Sequence, residues 1–429
     1  MTVADLAILG GPPVRTRAWP TWPLAEESTI AAVTDVLRST RWAISGPYDG
    51  RTCYERRFAE AFAEFEGARY CTPTTSGTAA LTIGLQALDI GPGKEVLVTG
   101  LTWVAPASAV VHLGATAVLV DCDRETLAMS PMRAREACTD STAAILVVHP
   151  WCSVADIDML CALAAERGIP LIEDCAQAHG ARWRGQRVGT FGAIGCFSMQ
   201  QSKLLTAGEG GAVVTDDPDL NDRLEQLRCD GRRFVEAPEV GRLELLEVGS
   251  VLGRNLCLSE LQAAVLFERL SHLDAQNELR ATRVRCLERL LDDIGGVTYL
   301  LRDDRVTTPT FYNYVLRLEP AAFADAPIDV LSEALTAELG TPVNPVYEPL
   351  DRHPLLASAN QRTGGPRLIS RGCALSEARR ARQTCVTLTH PVLLDEVEGM
   401  EDIARALTKV QRGAGRLRGL HVGRRCMSF

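Results

Sequence analysis

The stretch AAILVVHPWCSVADIDMLCALAAERGIPLIED (residues 143–174) holds two short apolar runs, AAILVVH and IPLIED, separated by a segment of helix length. Continuous apolar runs bounded by turn residues are typical of strands that are buried on both faces of a parallel sheet. EVLVTG (95–100) and TAVLVD (116–121) repeat the pattern, and GAIGCFSM (192–199) and GGAVVTDD (210–217) add two more strands. The sequence therefore predicts an α/β fold with a mostly parallel central sheet.

The chain length predicts more than one domain. At 429 residues the chain exceeds the size at which a single hydrophobic core stops growing. A long helical pattern over 258–294 stops at Gly295 and Gly296, and a strand-like run and two helix-like runs follow it (311–318, 328–340 and 401–411). We expect a large domain over 1–290 and a smaller C-terminal α+β domain over 291–429.

The overall charge and composition argue against several classes of protein. The net charge of −9 and the pI of about 5.4 argue against a general nucleic-acid binder, and no apolar run approaches the ~20 residues that span a bilayer. The N-terminus has no basic segment ahead of an apolar one, and the 14 cysteines are scattered rather than paired in C-x-x-C motifs. We expect a cytoplasmic protein with small-molecule partners, without a nucleic-acid or membrane partner and without a metal site.

Ligands of such sheets bind beyond the carboxyl ends of the strands, and the first polar segment expected there is TTSGTAAL (74–81). It places Gly77 and Thr78 at the start of a helix, where free N–H groups and the helix dipole favour an anion such as a phosphate. Taken alone, this motif is better explained as an ordinary helix N-cap.

The second segment is IPLIEDCAQAHG (169–180), in which an apolar strand ends in Glu173 and Asp174, followed by Gln177 and His179. A carboxylate at the end of a buried strand is costly unless a cation pairs with it. A protonated ring nitrogen would supply such a cation. A loop carboxylate that accepts local N–H groups explains the segment equally well when it is taken alone.

The third segment is QQSKLLTAGEGGAVV (200–214), which places Lys203 between short polar residues and a glycine-rich turn. A neutral lysine amine can form a Schiff base with an aldehyde, whereas arginine stays protonated. A phosphate cradle, an aspartate for a pyridinium nitrogen and a lysine Schiff base are together what pyridoxal phosphate requires of a protein. Trp103, just past a strand end, is a candidate to cover the ring, with a core or surface tryptophan as the alternative.

The motifs SGTAAL, IEDCAQAHGA, SMQQSKLLTAGEGGAVVTDD and GRNLCLSELQAA resemble those of the DegT-type (DegT/StrS) aminotransferases, and the resemblance covers nearly the whole chain. These are fold-type I pyridoxal-phosphate enzymes that act on keto-sugars and keto-cyclitols. The resemblance implies that Lys203 carries the cofactor, that Asp174 pairs with its ring nitrogen and that Gln177 hydrogen-bonds its ring hydroxyl. It also implies a homodimer with shared active sites and the remaining cofactor contacts: Gly77, Thr78 and Ser198 to the phosphate, Trp103 on the ring, and Asn255 to the phosphate from the neighbouring subunit.

Within this family, RWAISGPYDG (41–50), LRCDGR (227–232) and NLCLSELQAA (255–264) resemble the L-glutamine:scyllo-inosose and 2-deoxy-scyllo-inosose aminotransferases. Cys257 stands where many sugar-nucleotide aminotransferases have arginine, which favours the cyclitol branch. Pro150 and Trp151 depart from the leucine and tyrosine typical of that branch. The resemblance implies transfer of an amino group from L-glutamine, or glutamate, to a keto-cyclitol in aminocyclitol antibiotic biosynthesis.

Substrate contacts and alternatives stay open at this level. A keto-sugar-nucleotide aminotransferase would keep every cofactor residue and differ only in the acceptor pocket. A dehydratase of the same fold typically has histidine in place of Lys203, and a non-enzymatic regulatory protein would need a nucleic-acid-binding module. The candidates for substrate contact, each equally well explained by loop packing, are Trp42, Ser45, His179 and Tyr347.

Overall fold

The computed structural model describes residues 5–235, 237–356, 368–371 and 375–420. In these parts of the chain the α-helices are α1 (Glu27–Ser39), α2 (Tyr54–Glu66), α3 (Gly77–Ala87), α4 (Ala105–His112), α5 (Pro131–Ala137), α6 (Ile157–Arg167), α7 (Pro218–Arg228), α8 (Glu260–Leu270), α9 (Leu273–Leu291), α10 (Ile328–Leu339), α11 (Ser376–Thr384) and α12 (Val397–Gly413). The strands are β1 (Tyr70–Thr74), β2 (Glu95–Thr99), β3 (Thr116–Val120), β4 (Thr142–Val148), β5 (Leu171–Asp174), β6 (Arg182–Trp183), β7 (Gln186–Arg187), β8 (Ile194–Ser198), β9 (Gly211–Thr215), β10 (Arg232–Phe234), β11 (Leu245–Glu247), β12 (Val297–Tyr299), β13 (Val306–Thr308), β14 (Asn313–Leu318), β15 (Val343–Pro345), β16 (Leu368–Ser370) and β17 (Cys385–Thr389).

The larger sheet has eight strands in the order β1-β9-β8-β5-β4-β2-β3-β16. Every neighbouring pair from β8 to β16 is parallel, while β9 runs antiparallel to both β1 and β8. The prediction of a mostly parallel sheet in an α/β fold is confirmed. In register, Val148 at the end of β4 lies beside Asp174 at the end of β5, so the carboxyl ends of the central strands meet at one edge.

Helices cover both faces of this sheet. Leu97 of β2 packs in one hydrophobic cluster with Phe58 and Phe62 of α2, whereas its neighbours Val96 and Val98 pack in a second cluster around α3 and α4. Successive side chains of a strand point to opposite faces, so a strand covered on both sides must be apolar at every position. This is why the strands are continuous apolar runs rather than alternating ones.

A second, antiparallel sheet of four strands, β12-β14-β17-β15, packs with α9, α10 and α12 and gives the C-terminal region its α+β character. The N-terminal segment joins this part of the molecule, because Leu6 lies in its hydrophobic cluster and Arg15 pairs with Asp395 and Asp402. In contrast, β16 from the same C-terminal region completes the larger sheet. The division of the chain at 290 and 291 stays a prediction.

The prediction of one uninterrupted helix over 258–294 is wrong. The helix breaks at Ser271 and His272 into α8 and α9. The Ser271 hydroxyl donates to the backbone carbonyl of Glu268, a local bond that competes with helix continuation. Because of the break, α8 packs on the larger sheet while α9 runs on to the second sheet.

No helix within the described ranges is long and apolar enough to cross a membrane. The cytoplasmic location stays a prediction.

Glu66, the last residue of α2, makes the stability of the protein depend on pH. Its side chain is buried, and burial raises its pKa to about 8 although Arg187 acts in the opposite direction. Below pH 4.5 the folded and unfolded chains both keep this proton, but between pH 4.5 and about 8 only the folded chain does. The free energy of unfolding therefore falls as pH rises through this window, by up to ~1.4 kcal/mol per pH unit.

We expect Glu66→Gln to raise the melting temperature by a few degrees at pH 8 and to change it little at pH 5, measured by thermal unfolding. Glu64→Gln, on the exposed side of the same helix, is the matched control and should behave as wild type at both pH values. Parallel pH profiles for wild type and Glu66→Gln would show that the carboxyl is ionised in the folded protein.

Candidate active site

A cavity of about 200 Å³ lies at the carboxyl edge of the parallel strands. Asp174 ends β5, Ser198 ends β8 and Gly77 begins α3, so the strand ends and one helix N-terminus meet at this cavity. Of the residues predicted from the sequence, the cavity is lined by Gly77, Thr78, Trp103, Asp174, Gln177, Ser198, Lys203 and Tyr347.

Lys203 lies in a loop that is closed by its own backbone. Met199 N–H donates to the Gly210 carbonyl at 2.8 Å, and Lys203 N–H donates to the Gln200 carbonyl at 2.8 Å. The Lys203 Nζ lies 4.1 Å from the centroid of the Tyr312 ring, and it forms no hydrogen bond with the described residues. The amine thus lines the cavity, and no carboxylate in the described part of the chain forms a direct ion pair with it.

Asp174 is a carboxylate at a buried strand end. It is only 4% exposed, and Oδ1 accepts a hydrogen bond of 3.0 Å from the Ala176 N–H. Burial raises its pKa, while that hydrogen bond and the charge of Lys203 act in the opposite direction. A buried carboxylate of this kind is stabilised by a ligand that brings a cation, as a protonated pyridine nitrogen does.

The N-terminus of α3 provides a site for an anion. The Ser76 hydroxyl caps the helix by accepting from Ala79 N–H at 3.1 Å, and the first N–H groups of a helix, here those of Gly77 and Thr78, have no intrahelical acceptor. A Cβ on residue 77 would lie 2.5 Å from the Ser198 Cβ, so only glycine lets β8 approach the helix this closely. The arrangement fits a phosphate group.

Thr102 and Tyr312 are among the cavity-lining residues that were not predicted from the sequence. The Thr102 hydroxyl is buried and has no hydrogen-bond partner among the described residues, although it lines the cavity. Tyr312 comes from the second sheet region and accepts or donates a 3.0 Å hydrogen bond with the Ser202 hydroxyl. A threonine directly before Trp103 was a signal that could have been used, whereas nothing in the sequence around Tyr312 pointed to this site.

The Pro150–Trp151 departure lies directly beside the site. Gln177 Oε1 accepts the Trp151 N–H at 2.8 Å, and the Trp151 ring stacks on Tyr347 with centroids 5.3 Å apart. Tyr347 in turn contacts Trp103 at 6.0 Å. Trp151 of this dipeptide therefore contacts two predicted site residues, Gln177 through its backbone and Tyr347 through its ring.

The other predicted residues do not line this cavity. His179 is fully buried against Phe197, and burial, followed by the charge of Lys203, lowers its pKa to about 3, so the imidazole is neutral. Trp42, Ser45 and Asn255 lie on the surface of the single chain. A contribution from any of these three would have to come from a second chain.

His149, Glu173 and Cys175 form a buried cluster with the composition of a metal site, but the ligand atoms are already used. His149 Nδ1 accepts the Ala155 N–H at 3.2 Å, so Nε2 carries the proton shared with Glu173, also at 3.2 Å. Glu173 accepts three further backbone N–H groups from residues 189–192, and burial raises the pKa of the Cys175 thiol well above its usual value. The cluster anchors the end of β5.

Comparisons with known proteins show the family to which the chain belongs. The model of the DegT/DnrJ/EryC1/StrS aminotransferase family matches residues 23–396. The L-glutamine:2-deoxy-scyllo-inosose aminotransferase of Streptoalloteichus tenebrarius is 46% identical over 420 residues, which cover 96% of this chain and 99% of that protein. The L-glutamine:scyllo-inosose aminotransferase of Streptomyces griseus is 45% identical over 416 residues, covering 95% and 97%.

Among solved structures, 3-amino-5-hydroxybenzoic acid synthase is 30% identical with a TM-score of 0.78, covering 94% of this chain and all of that one. DesV of S. venezuelae, in complex with a ketimine intermediate, is 31% identical with a TM-score of 0.76, covering 90% and 94%. The sequence, the fold and these relatives agree, and the chain belongs to the DegT/DnrJ/EryC1/StrS aminotransferase family.

Proposed function

We propose that this aminotransferase, with pyridoxal phosphate as its cofactor, moves the amino group of L-glutamine to a keto-cyclitol such as 2-deoxy-scyllo-inosose or scyllo-inosose. The observation that carries the chemistry is the meeting of the Lys203 amine, the buried Asp174 carboxylate and the N-terminus of α3 in one cavity. The choice of donor and acceptor is supported by the names of two relatives, which are 45–46% identical to this chain over nearly its whole length.

The residues of the cavity fit the cofactor group by group. Asp174 would pair with the ring nitrogen and Gln177 would hydrogen-bond the ring hydroxyl. Trp103 would cover the ring, while the phosphate would be bound by Gly77, Thr78 and Ser198. When bound, pyridoxal phosphate supplies an aldehyde that binds amines covalently and a ring that withdraws electrons from the donor carbon.

Lys203 would carry out the proton transfers. Once the donor amine has displaced it, the Lys203 amine is positioned by its closed loop to accept the proton from the donor α-carbon. In the second half of the reaction the same amine would return a proton to the carbon of the acceptor that receives the nitrogen. Asp174 would hold the ring nitrogen protonated throughout.

The decisive experiment is to incubate the protein with pyridoxal phosphate, L-glutamine and, separately, scyllo-inosose, 2-deoxy-scyllo-inosose and a keto-sugar nucleotide, and to detect the amine by mass. We expect amination of at least one inosose and none of the sugar nucleotide. Amination of the sugar nucleotide alone would refute the keto-cyclitol assignment.

A homodimer with shared sites is the second part of the proposal. Asn255 pairs with Cys229, and the preceding segment exposes three leucines, Leu243, Leu246 and Leu252, each more than half exposed. The loop that holds Trp42 and Ser45 joins this segment through the pairing of Pro47 with Leu243. Apolar patches of this kind mark protein interfaces, and a second copy seated here would bring Asn255 toward the cavity of its partner.

Mixing two inactive variants tests the shared site. Lys203→Ala and Asn255→Ala chains, co-expressed in equal amounts, would form hybrid dimers in which one of the two sites is intact if Asn255 acts across the interface. We expect recovery of about a quarter of wild-type activity, because half of the dimers are hybrids with one intact site each. No recovery, despite hybrid dimers seen by native mass spectrometry, would place Asn255 in the site of its own chain.

A further inference from the structure

A second cavity of about 330 Å³ adjoins the first, and the two share Ser202, Tyr312 and Tyr347 in their walls. Its remaining walls are aromatic, amide, hydroxyl and proline groups together with His390, and none of its lining residues is an acid, a lysine or an arginine. Burial holds the pKa of His390 well below its usual value, so this imidazole is neutral.

Two arginines lie behind one wall of this cavity. Trp22 lines the cavity, and the guanidinium carbons of Arg269 and Arg280 lie 4.8 and 5.3 Å from the centroid of its ring system. Arg280 is fully buried and Arg269 is 7% exposed. The positive charge of both side chains therefore lies close to the cavity without being exposed in it.

Arg280 has no counter-ion among the residues that the structure describes. Its Nη1 donates to Asn277 Oδ1 at 3.0 Å, while Nε and Nη2 have no hydrogen-bond partner. Arg269 donates from Nη1 to the Leu24 carbonyl, and its Nε is without a partner. Burial, followed by the charge of Arg269, lowers the pKa of Arg280 to about 9, so the group is still protonated near pH 7.

A buried guanidinium without an anion costs several kcal/mol, and an anion that binds nearby during function would offset part of that cost. The phosphate of the cofactor is not that anion, because its site is at the N-terminus of α3. The inference rests on the proposed function, in which the donor is an amino acid. Its α-carboxylate is the anion that remains to be bound, and of the residues that line the two cavities only Lys203 is cationic.

We propose that the second cavity is the subsite for the amino donor and that its α-carboxylate binds against Trp22, stabilised through the indole by the charges of Arg280 and Arg269. The position suits the reaction. Trp22 contacts His390 with ring centroids 4.6 Å apart, and His390 Nε2 donates to the Ser202 carbonyl at 3.1 Å. A carboxylate at Trp22 is therefore near the residue that precedes Lys203, with the donor amine toward the first cavity.

The test compares L-glutamine with L-glutamine α-amide, which lacks the carboxylate charge, in wild type and Arg280→Met. We expect Arg280→Met to raise the KM for L-glutamine about tenfold and to leave the KM for the keto-cyclitol within about twofold, since one charge interaction of this size is worth about 1.4 kcal/mol. The preference for L-glutamine over its α-amide, as a ratio of kcat/KM, should fall by the same factor. Arg280→Lys should retain most of the preference.

Arg285→Met is the matched control, because Arg285 lies on the same helix, is exposed and pairs with Glu278. It should keep the wild-type KM for L-glutamine, the wild-type KM for the keto-cyclitol and the wild-type preference for L-glutamine over its α-amide. An unchanged preference in Arg280→Met, or a rise in the KM of the keto-cyclitol instead, would overturn the inference. If the wild type aminated no inosose with L-glutamine, the proposed function itself would be wrong.

A stability measurement tests the same premise without activity. Without substrates, Arg280→Met should melt at the same temperature as wild type or higher, because it removes a buried charge that has no counter-ion among the described residues. A clearly lower melting temperature would show that the guanidinium stabilises the fold and would overturn the premise of an uncompensated charge.

Discussion

Lys203→Ala is expected to abolish amine transfer while the fold persists. The loss of the proton-transfer step alone is worth roughly 10²–10⁴-fold in rate, and the loss of the covalent link to the cofactor adds to it. The fold should be unaffected because the Lys203 side chain belongs to no hydrophobic cluster and its loop is held by backbone hydrogen bonds at Met199 and Gln201. Lys203→Arg should be equally inactive, since arginine stays protonated.

The measurements are amine formation by mass, far-ultraviolet circular dichroism and peptide mapping after borohydride reduction. Lys94→Ala is the control, because Lys94 is a partly exposed lysine that donates to the Asp89 carbonyl outside the cavity. Borohydride should leave a pyridoxyl group on the peptide that contains Lys203. A pyridoxyl group on Lys94 or Lys409, with Lys203 unmodified, would refute the assignment.

Asp174→Asn is expected to reduce kcat by roughly 10²–10⁴-fold. Removing one partner of a buried ion pair costs about 3–5 kcal/mol, and here the partner left alone would be the ring nitrogen of the cofactor. Without the carboxylate that nitrogen loses its proton and the ring withdraws electrons less strongly. Cofactor affinity should fall as well, which titration of pyridoxal phosphate by fluorescence quenching would measure.

The cofactor-free protein should respond in the opposite direction. Burial raises the pKa of Asp174, so the ionised carboxylate is unfavourable until a cation arrives. Without cofactor, Asp174→Asn should therefore melt at the same temperature as wild type or higher. When pyridoxal phosphate is added, its melting temperature should rise less than that of wild type. Asp174→Glu keeps the charge in a tightly buried site, and its rise in melting temperature with cofactor is expected to lie between those of wild type and Asp174→Asn. If pyridoxal phosphate raised the melting temperature of Asp174→Asn as much as that of wild type, pairing of Asp174 with the ring nitrogen would be refuted.

Much of the fold and of the cofactor site could be predicted from the sequence because the signals are local. A strand buried on both faces must be apolar at every position, so β4 and β5 are visible as short apolar runs. Asp174 ends β5, and Gly77 begins α3, so each site residue sits at a point where one element ends or starts. Once the strands are taken as parallel, their carboxyl ends must meet at one edge, and the site follows.

Only the tertiary structure decided which distant residues complete the site. Tyr312 bonds to Ser202 across 110 residues of chain and so joins the cavity. Away from the site, Arg15 near the N-terminus likewise bonds to Asp402 across 387 residues. The break between α8 and α9 was also not visible in the hydrophobic pattern, because the apolar spacing on both sides of Ser271 is equally helical. Periodicity reports how one element meets its core, and it carries no information about which other element lies opposite.

The two buried arginines show most clearly that tertiary contacts cannot be predicted from the local sequence pattern. In the sequence, Arg269 and Arg280 are two of many arginines on helices, where an exposed, solvated position is the usual outcome. Their burial behind Trp22, where no carboxylate among the described residues is hydrogen-bonded to either guanidinium, appears only when the N-terminal segment, α8 and α9 are packed together. The sequence by itself determined the sheet, the lysine and the aspartate, since these follow from local pattern and chemistry. The surroundings that set charge and substrate choice were decided by the tertiary structure, since burial and pairing are properties of the packed chain.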